Sequence, residues 1–361
     1  MKMRIVFVLC CLILLSSCGS KSDDQLTVGV LVPLTGEAAV LGKEVQQAVQ
    51  LAADNYNAIS DEEISVVFED SRCFGKDAVS AFHKLVSINR VQAIVGPLCS
   101  SETLAIAPLA ELNKVVVVSP ASTNPSISLA GEYIFRVIPS DALQGKAGAD
   151  LVWKSGLKSG AVLYVQNDYG VGLKDVFKFR LKELGGVLLA EEGYVQGSSD
   201  FRTQIAKIKE KNPEFVYLVS LPGEGGLILK QLREMQLGVS VFGAEGIRDP
   251  SVIKVAGEAA EGLVITYPQQ IQSERRTTFV NLYKERYGSE PGTFAAEGYD
   301  AFNIIAVAYR GADDVSKIKD VLYKIKNFQG ASGPITFDAN GDVDKPYAAQ
   351  IVRNGEFVDL Q

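Results

Sequence analysis

QAIVGPLCSSETLAIAPLAELNKVVVVSPASTNP, residues 92–125, decides the fold. It opens on a short strand over Gln92 to Gly96, continues as a helix over Ser101 to Leu112, and returns to a strand over Val115 to Ser119. The run Val115-Val116-Val117-Val118 carries nothing polar, which suits a strand covered on both faces. Strand, helix and strand in so short a span make a βαβ unit of a parallel sheet. Each strand ends in a loop with small and polar residues. After the first comes Gly96-Pro97-Leu98-Cys99-Ser100-Ser101, and after the second Ser119-Pro120-Ala121-Ser122-Thr123-Asn124-Pro125. In open α/β sheets, ligands gather at these carboxyl ends of the strands.

The same alternation spreads in both directions. Upstream, Leu26 to Leu34 reads as a strand, and Lys43 to Ala58 as a helix with apolar Val45, Ala48, Val49 and Ala52 on one face. Ile64 to Glu69 is the next strand, followed by a helix near Lys76 to Ile88. Downstream of Tyr133 to Pro139 a second set begins with a helix near Ala142 to Lys154. Strands Ala161 to Val165, Val187 to Tyr194, Phe215 to Ser220, Ser240 to Gly243 and Leu263 to Tyr267 are separated by helices over Leu173 to Leu184, Phe201 to Lys211 and Gly226 to Met235. Helices near Thr277 to Tyr287, Ala295 to Arg310 and Val315 to Lys326 follow. Two strand-like stretches, Ile335 to Asp338 and Ala348 to Val352, flank the turn Asn340-Gly341. The expected architecture is α/β, two doubly wound parallel-sheet units in one chain.

The N-terminus reads MKMRIVFVLCCLILLSSCGS. Lys2 and Arg4 precede the apolar run Ile5 to Leu15, which as a helix rises about 16 Å, roughly half a bilayer's hydrocarbon core. That layout is a secretory signal rather than a membrane span. Leu15-Ser16-Ser17-Cys18 resembles the lipobox of bacterial lipoproteins, which implies a signal over 1–17, a lipid on Cys18 and a polar tether over 18–25. Removal of the signal leaves roughly 340 residues, more than one hydrophobic core usually serves. Of the five cysteines, Cys10 and Cys11 leave with the signal. Cys73 and Cys99 remain as an even pair in an oxidising compartment, where a disulfide is the default and two buried thiols the alternative.

Composition excludes several classes. With 36 Lys and Arg against 43 Asp and Glu, the net charge is −7, and a nucleic-acid partner would need a basic footprint. His83 is the single histidine and no CxxC occurs, so no metal is expected. No GxGxxG follows the first strand, and no GxSxG elbow is present. Gly36-Glu37-Ala38-Ala39-Val40-Leu41-Gly42-Lys43 misses the phosphate-loop pattern by one residue and puts Glu44 where a magnesium-binding hydroxyl belongs. Neither a cofactor nor catalysis is expected.

A third loop, Phe242-Gly243-Ala244-Glu245-Gly246, ends a strand in the second unit. In order and spacing, the three loops resemble the branched-chain amino-acid (leucine/isoleucine/valine) binding proteins of bacterial ABC transporters, type I periplasmic solute-binding proteins. The likeness runs from Leu26 to about Val358. It includes Gly29-Val30-Leu31-Val32-Pro33-Leu34-Thr35-Gly36, Glu297-Gly298-Tyr299-Asp300-Ala301 and Gly333-Pro334-Ile335-Thr336-Phe337-Asp338.

The resemblance implies two lobes joined by three hinge crossings near Ile138 to Asp141, Thr266 to Gln270 and Lys345 to Tyr347. The N-terminal lobe would comprise 26–141 plus 271–346, and the C-terminal lobe 142–270 plus 347–361. It implies a Cys73–Cys99 disulfide, a membrane permease as partner, and attachment to the membrane through Cys18, facing the periplasm or cell exterior.

For the ligand, an amino acid, the resemblance implies that Ser100 and Thr123, with the backbone around Ala121 and Ser122, hold the carboxylate. Ser101 could contribute or merely cap its helix. Ser100 and Ser101 open a helix, where free N–H groups and the dipole favour an anion. Glu245 is implied as acceptor of the ammonium, and Tyr169 as a wall from the second lobe. Leu98 belongs to the pocket-lining set, while Leu41 and Leu221 stand where family members often carry aromatics. Lost bulk there would enlarge or reshape the side-chain pocket, for which a branched-chain or other apolar amino acid is expected. Two alternatives stay open: a ligand-sensing or contact-regulating envelope lipoprotein of this fold, and a receptor for amides or short carboxylates.

Overall fold

The computed structural model describes residues 25–360. The expected signal, the lipid site Cys18 and the tether through residue 24 lie outside the described residues. The chain begins with β1 (Thr27–Val32), α1 (Ala39–Asn57), β2 (Ser65–Asp70), α2 (Gly75–His83), β3 (Ala93–Val95), α3 (Ser100–Asn113), β4 (Val116–Ser119) and β5 (Ile134–Arg136). These strands form a wholly parallel five-stranded sheet in the order β2-β1-β3-β4-β5. Val28, Val30 and Val32 face one core and Leu31 the other, so both faces are covered, as the all-apolar strands require.

The second run is α4 (Asp141–Lys154), β6 (Ser159–Val165), α5 (Asp168–Glu183), β7 (Val187–Tyr194), α6 (Arg202–Glu210), β8 (Phe215–Val219), α7 (Pro222–Glu234), β9 (Ser240–Gly243), α8 (Pro250–Ala256) and β10 (Val264–Pro268). Its strands are parallel in the order β7-β6-β8-β9-β10, the same winding as the first sheet. Phe177, Phe215, Tyr217 and Ile247 sit fully buried in this lobe's own core.

The chain then returns. α9 (Glu274–Tyr287), α10 (Ala295–Arg310) and α11 (Ile318–Leu322) belong to the first lobe, where Phe302 and Ile305 of α10 share a core with Val45 and Val49 of α1. A small hairpin, β11 (Phe328–Gly330) with β12 (Gly333–Ile335), follows. Finally β13 (Tyr347–Arg353) crosses back to pair antiparallel with β10, and β14 (Glu356–Asp359) pairs with β13. The second sheet is therefore parallel over five strands and antiparallel over its last two, a C-terminal hairpin added to the expected doubly wound unit.

Three segments link the lobes and lie side by side. Pro139 bridges Val343, the Tyr347 hydroxyl donates to the Pro139 carbonyl (3.3 Å), and Gln269 N–H donates to the Pro346 carbonyl (2.8 Å). Arg136, fully buried, anchors the first crossing. Its guanidinium donates to both Asp342 oxygens (2.6 and 2.9 Å), to Ser128 Oγ (2.9 Å) and to the Asn124 carbonyl (3.0 Å). These contacts tie the three crossings to one another at the junction of the lobes.

Candidate functional site

Each sheet reverses its winding beside its first strand, between β1 and β3 in one lobe and between β6 and β8 in the other. Loops leaving such a point diverge and open a crevice. Here the two crevices face each other across a small cavity of about 30 Å³. From the first lobe, Leu41 at the start of α1, Leu98 and Ser100 after β3, and Ala121 after β4 reach it. From the second come Tyr169 after β6, Leu221 after β8 and Glu245 after β9. Seven of the nine ligand-binding positions expected from sequence thus line one cavity.

Ser122 and Thr123 stand behind its wall. The Ser122 hydroxyl lies 2.7 Å from Thr103 Oγ1 and donates to the Pro97 carbonyl (3.1 Å). Thr123 Oγ1 donates to Asp141 Oδ2 (2.8 Å). A threonine hydroxyl has one proton, so toward anything else Thr123 offers lone pairs rather than the donor role first expected. Ser100 Oγ has the opposite bias. It accepts the Asn124 N–H (3.1 Å), which leaves its own proton free at the first residue of α3.

Local rules place these groups. At Gly96, φ is +109° and a Cβ would overlap the Leu31 carbonyl, so only glycine lets the chain turn there from β3 toward α3. Glu102 Oε2 accepts the Cys99 N–H (3.0 Å) and closes the first turn of α3. Asn167 Oδ1 accepts the Gly170 N–H (3.0 Å), so α5 starts at Asp168, earlier than the expected Leu173, and carries Tyr169 in its first turn. Cys73 and Cys99 form the disulfide and together line the void, so the bridge is also pocket wall. Ser101 lies outside the lining and accepts the Asp168 N–H (3.1 Å) from the other lobe.

The Glu245 end is the chemically pointed one. Glu245 is 2% exposed, and its Oε2 has no hydrogen-bond partner. Asp141, fully buried, likewise leaves Oδ1 unpartnered. The hydroxyls of Tyr169 and Tyr217 and the Gln144 side-chain oxygen are unpartnered as well. Burial pushes the Glu245 carboxyl up to about 7. Burial and then the Glu245 charge hold Asp141 well above the carboxylate range, against the pull of Thr123 and Arg136. Arg136 is already committed to Asp342, Ser128 and Asn124, so it does not neutralise the recess. Glu245 lines the cavity and Asp141 lies outside its lining; buried oxygens without partners are costly, and each has lone pairs that can accept an N–H donor.

Between the polar ends the walls are apolar. Leu41, Leu98 and Leu221 belong to one buried cluster, with Leu221 reaching across from the second lobe into the first lobe's core. Phe294, just before α10, joins the lining and supplies aromatic bulk that the sequence reading located nowhere. Asp141 was also missed as a site residue. In sequence it resembles any first-turn helix acid after the N-cap Ser140, and only its contact with Thr123 marks it. Among the described residues, no three His, Cys, Asp or Glu side chains gather as a metal-holding group. No helix there is long and apolar enough to cross a membrane.

Residues 25–356 match the family model described as periplasmic binding protein. The chain is 28% identical to the leucine-, isoleucine-, valine-, threonine- and alanine-binding protein of Pseudomonas aeruginosa, over 90% of this chain and 88% of that one. The crystal structure of a leucine-binding protein from Thermotoga maritima superposes with a TM-score of 0.89 at 34% identity, covering 93% of this chain and 98% of that one. A solute-binding protein of an ABC transporter from Rhodopseudomonas palustris, solved with 3,4-dihydroxybenzoic acid, superposes with a TM-score of 0.83 at 25% identity, covering 93% and 95%.

Proposed function

This chain belongs to the periplasmic binding protein family, in its type I group with the leucine-, isoleucine- and valine-binding proteins, and from that membership we propose that it captures a free apolar α-amino acid for an ABC-type uptake system. The observation that carries the ligand class is the pair of unpartnered buried oxygens on Glu245 and Asp141, with the Ser100 donor elsewhere on the cavity wall. An ammonium satisfies the first end and a carboxylate the second. The leucines and Phe294 give the wall between these ends an apolar face that suits an aliphatic side chain.

In this reading Thr123 Oγ1 accepts from the ammonium, while Ser100 Oγ and the N-terminal turn of α3 hold the carboxylate. Ala121, Tyr169 and Leu221 close the walls. The lobes divide as 26–141 plus 271–346 and 142–270 plus 347–361, and the protein is held at the envelope through a lipid on Cys18, where it meets a membrane permease. Mass spectrometry of the native N-terminus, with Cys18→Ala as control, tests the anchor.

The ligand class is tested on residues 19–361, unfolded and refolded to strip bound ligand, then screened for thermal shift against the amino acids. Ligand at 100 times its Kd adds about 2.7 kcal/mol. A shift with leucine, isoleucine or valine supports the proposal. A shift only with aromatic carboxylates such as dihydroxybenzoate, which lack the ammonium, would replace it with the second reading, one that the R. palustris relative favours.

A further inference from the structure

The cleft is shut, and outside the ligand cavity the lobes touch at places that share one device. Asn124 Nδ2 donates across the cleft to the Asp168 carbonyl (2.5 Å), beside the bond from Asp168 N–H to Ser101 Oγ. These seat the first turn of α5 on the first lobe. One turn along, a Cβ on Gly172 would overlap Asn124 Nδ2 and lie 3.1 Å from Asn124 Cγ and 3.2 Å from Pro125 Cδ. At a second place Gly223 N–H, in the first turn of α7, donates to the Glu37 carbonyl (3.2 Å). A Cβ on Gly223 would overlap Glu37 Oε2 and lie 3.1 Å from Glu37 Cδ and 3.2 Å from Glu37 Cα. Carbon atoms pack comfortably at about 3.5–4.0 Å, so a side chain at either position would force Asn124 or Glu37 to shift from its seat.

Neither glycine is there for its backbone. Gly172 and Gly223 lie in helices with no positive φ, where alanine is the better helix former. Within the second lobe alone, a side chain at either position would help. What its absence provides is room for the other lobe.

We propose that Gly172 and Gly223 are closure-determining residues: by carrying no side chain they let Asn124 and Glu37 seat on α5 and α7, and these contacts set how long a ligand stays trapped. The inference rests on the reading that the cleft closes on a ligand, but neither glycine lines the cavity. Truncating a contact that forms only on closure shortens the bound lifetime and leaves encounter alone.

The test measures L-leucine association and dissociation by stopped flow for wild type, Gly172→Ala, Gly223→Ala and the double variant. Dissociation is expected to quicken about tenfold in each single variant and further in the double, with association changed less than about twofold. The unliganded variants should melt at or above the wild-type temperature, because alanine favours both helices. Unchanged dissociation rates would overturn the proposal, and so would faster dissociation accompanied by a lower melting temperature, which marks a folding defect.

If wild type does not bind L-leucine, the functional reading is what fails, and closure is then followed without ligand. Small-angle scattering of unliganded wild type, Gly172→Ala and Gly223→Ala then reads how far the lobes stand apart. A larger radius of gyration in both variants than in wild type, at an unchanged or higher melting temperature, supports the closure roles. Equal radii overturn them.

Discussion

Glu245 and Asp141 each hold an oxygen that no protein group satisfies, a costly arrangement in a buried site until a cation arrives. Glu245→Ala is expected to weaken L-leucine binding by about 2–5 kcal/mol, the range for stripping one member from a buried charge pair, as read by titration calorimetry. Unchanged affinity would remove Glu245 from the ammonium end. Thr123→Val should cost about 1–3 kcal/mol, because Asp141 Oδ2 also loses its donor; a variant binding as tightly as wild type would take Thr123 out of the site. Protons compete with the ammonium for the same oxygens. Burial raises Glu245 to about 7 in the empty closed cleft, and a bound ammonium keeps both acids ionised, so binding sheds protons. Affinity should therefore fall as pH drops through about 7. A Kd for L-leucine constant from pH 5 to 8 would contradict that coupling. At this scale the strand-end position of Glu245 was legible, while its role came only through the resemblance to a family. Asp141 and Phe294 were not, because their roles depend on partners remote in sequence.

The elements that carry these residues are held by identifiable ties. Cys73–Cys99, separated by 26 residues, staples the loop after β2 to the start of α3. By chain entropy such a closure stabilises by about 3 kcal/mol. Cys73→Ala with Cys99→Ala is expected to lower the unfolding free energy by about that amount in urea titrations; equal midpoints and slopes would show that the bridge contributes no net stability. Strands buried on both faces, such as β4 and β8, were legible because nothing polar interrupts them. β5 was not. It is three residues long and ends in Arg136, a residue that reads as exposed until Asp342, 206 positions away, comes to meet it. α8 was passed over for a related reason: it is a single short stretch, started by the Asp249 cap and Pro250 rather than by a long apolar face.

At the scale of the molecule, periodicity alone yields two wound sheets but gives α9, α10 and α11 no address. Their place on the first lobe follows from faces that match α1, a match visible only in three dimensions or through resemblance to a family. The C-terminal hairpin makes the point in reverse, since β13 and β14 finish a sheet begun nearly two hundred residues earlier. A chain stopped after Pro346 is expected to leave β10 as a bare edge and to lose L-leucine capture, checked by calorimetry and by circular dichroism melting. Retained affinity would show the hairpin to be dispensable. The interleaving also bears on synthesis. A polypeptide that emerges from its N-terminus first completes its first lobe only when α10 reaches α1, and its second only when β13 reaches β10. Both lobes consequently stay unfinished through most of synthesis, and the cavity between them takes shape only late in the chain's emergence.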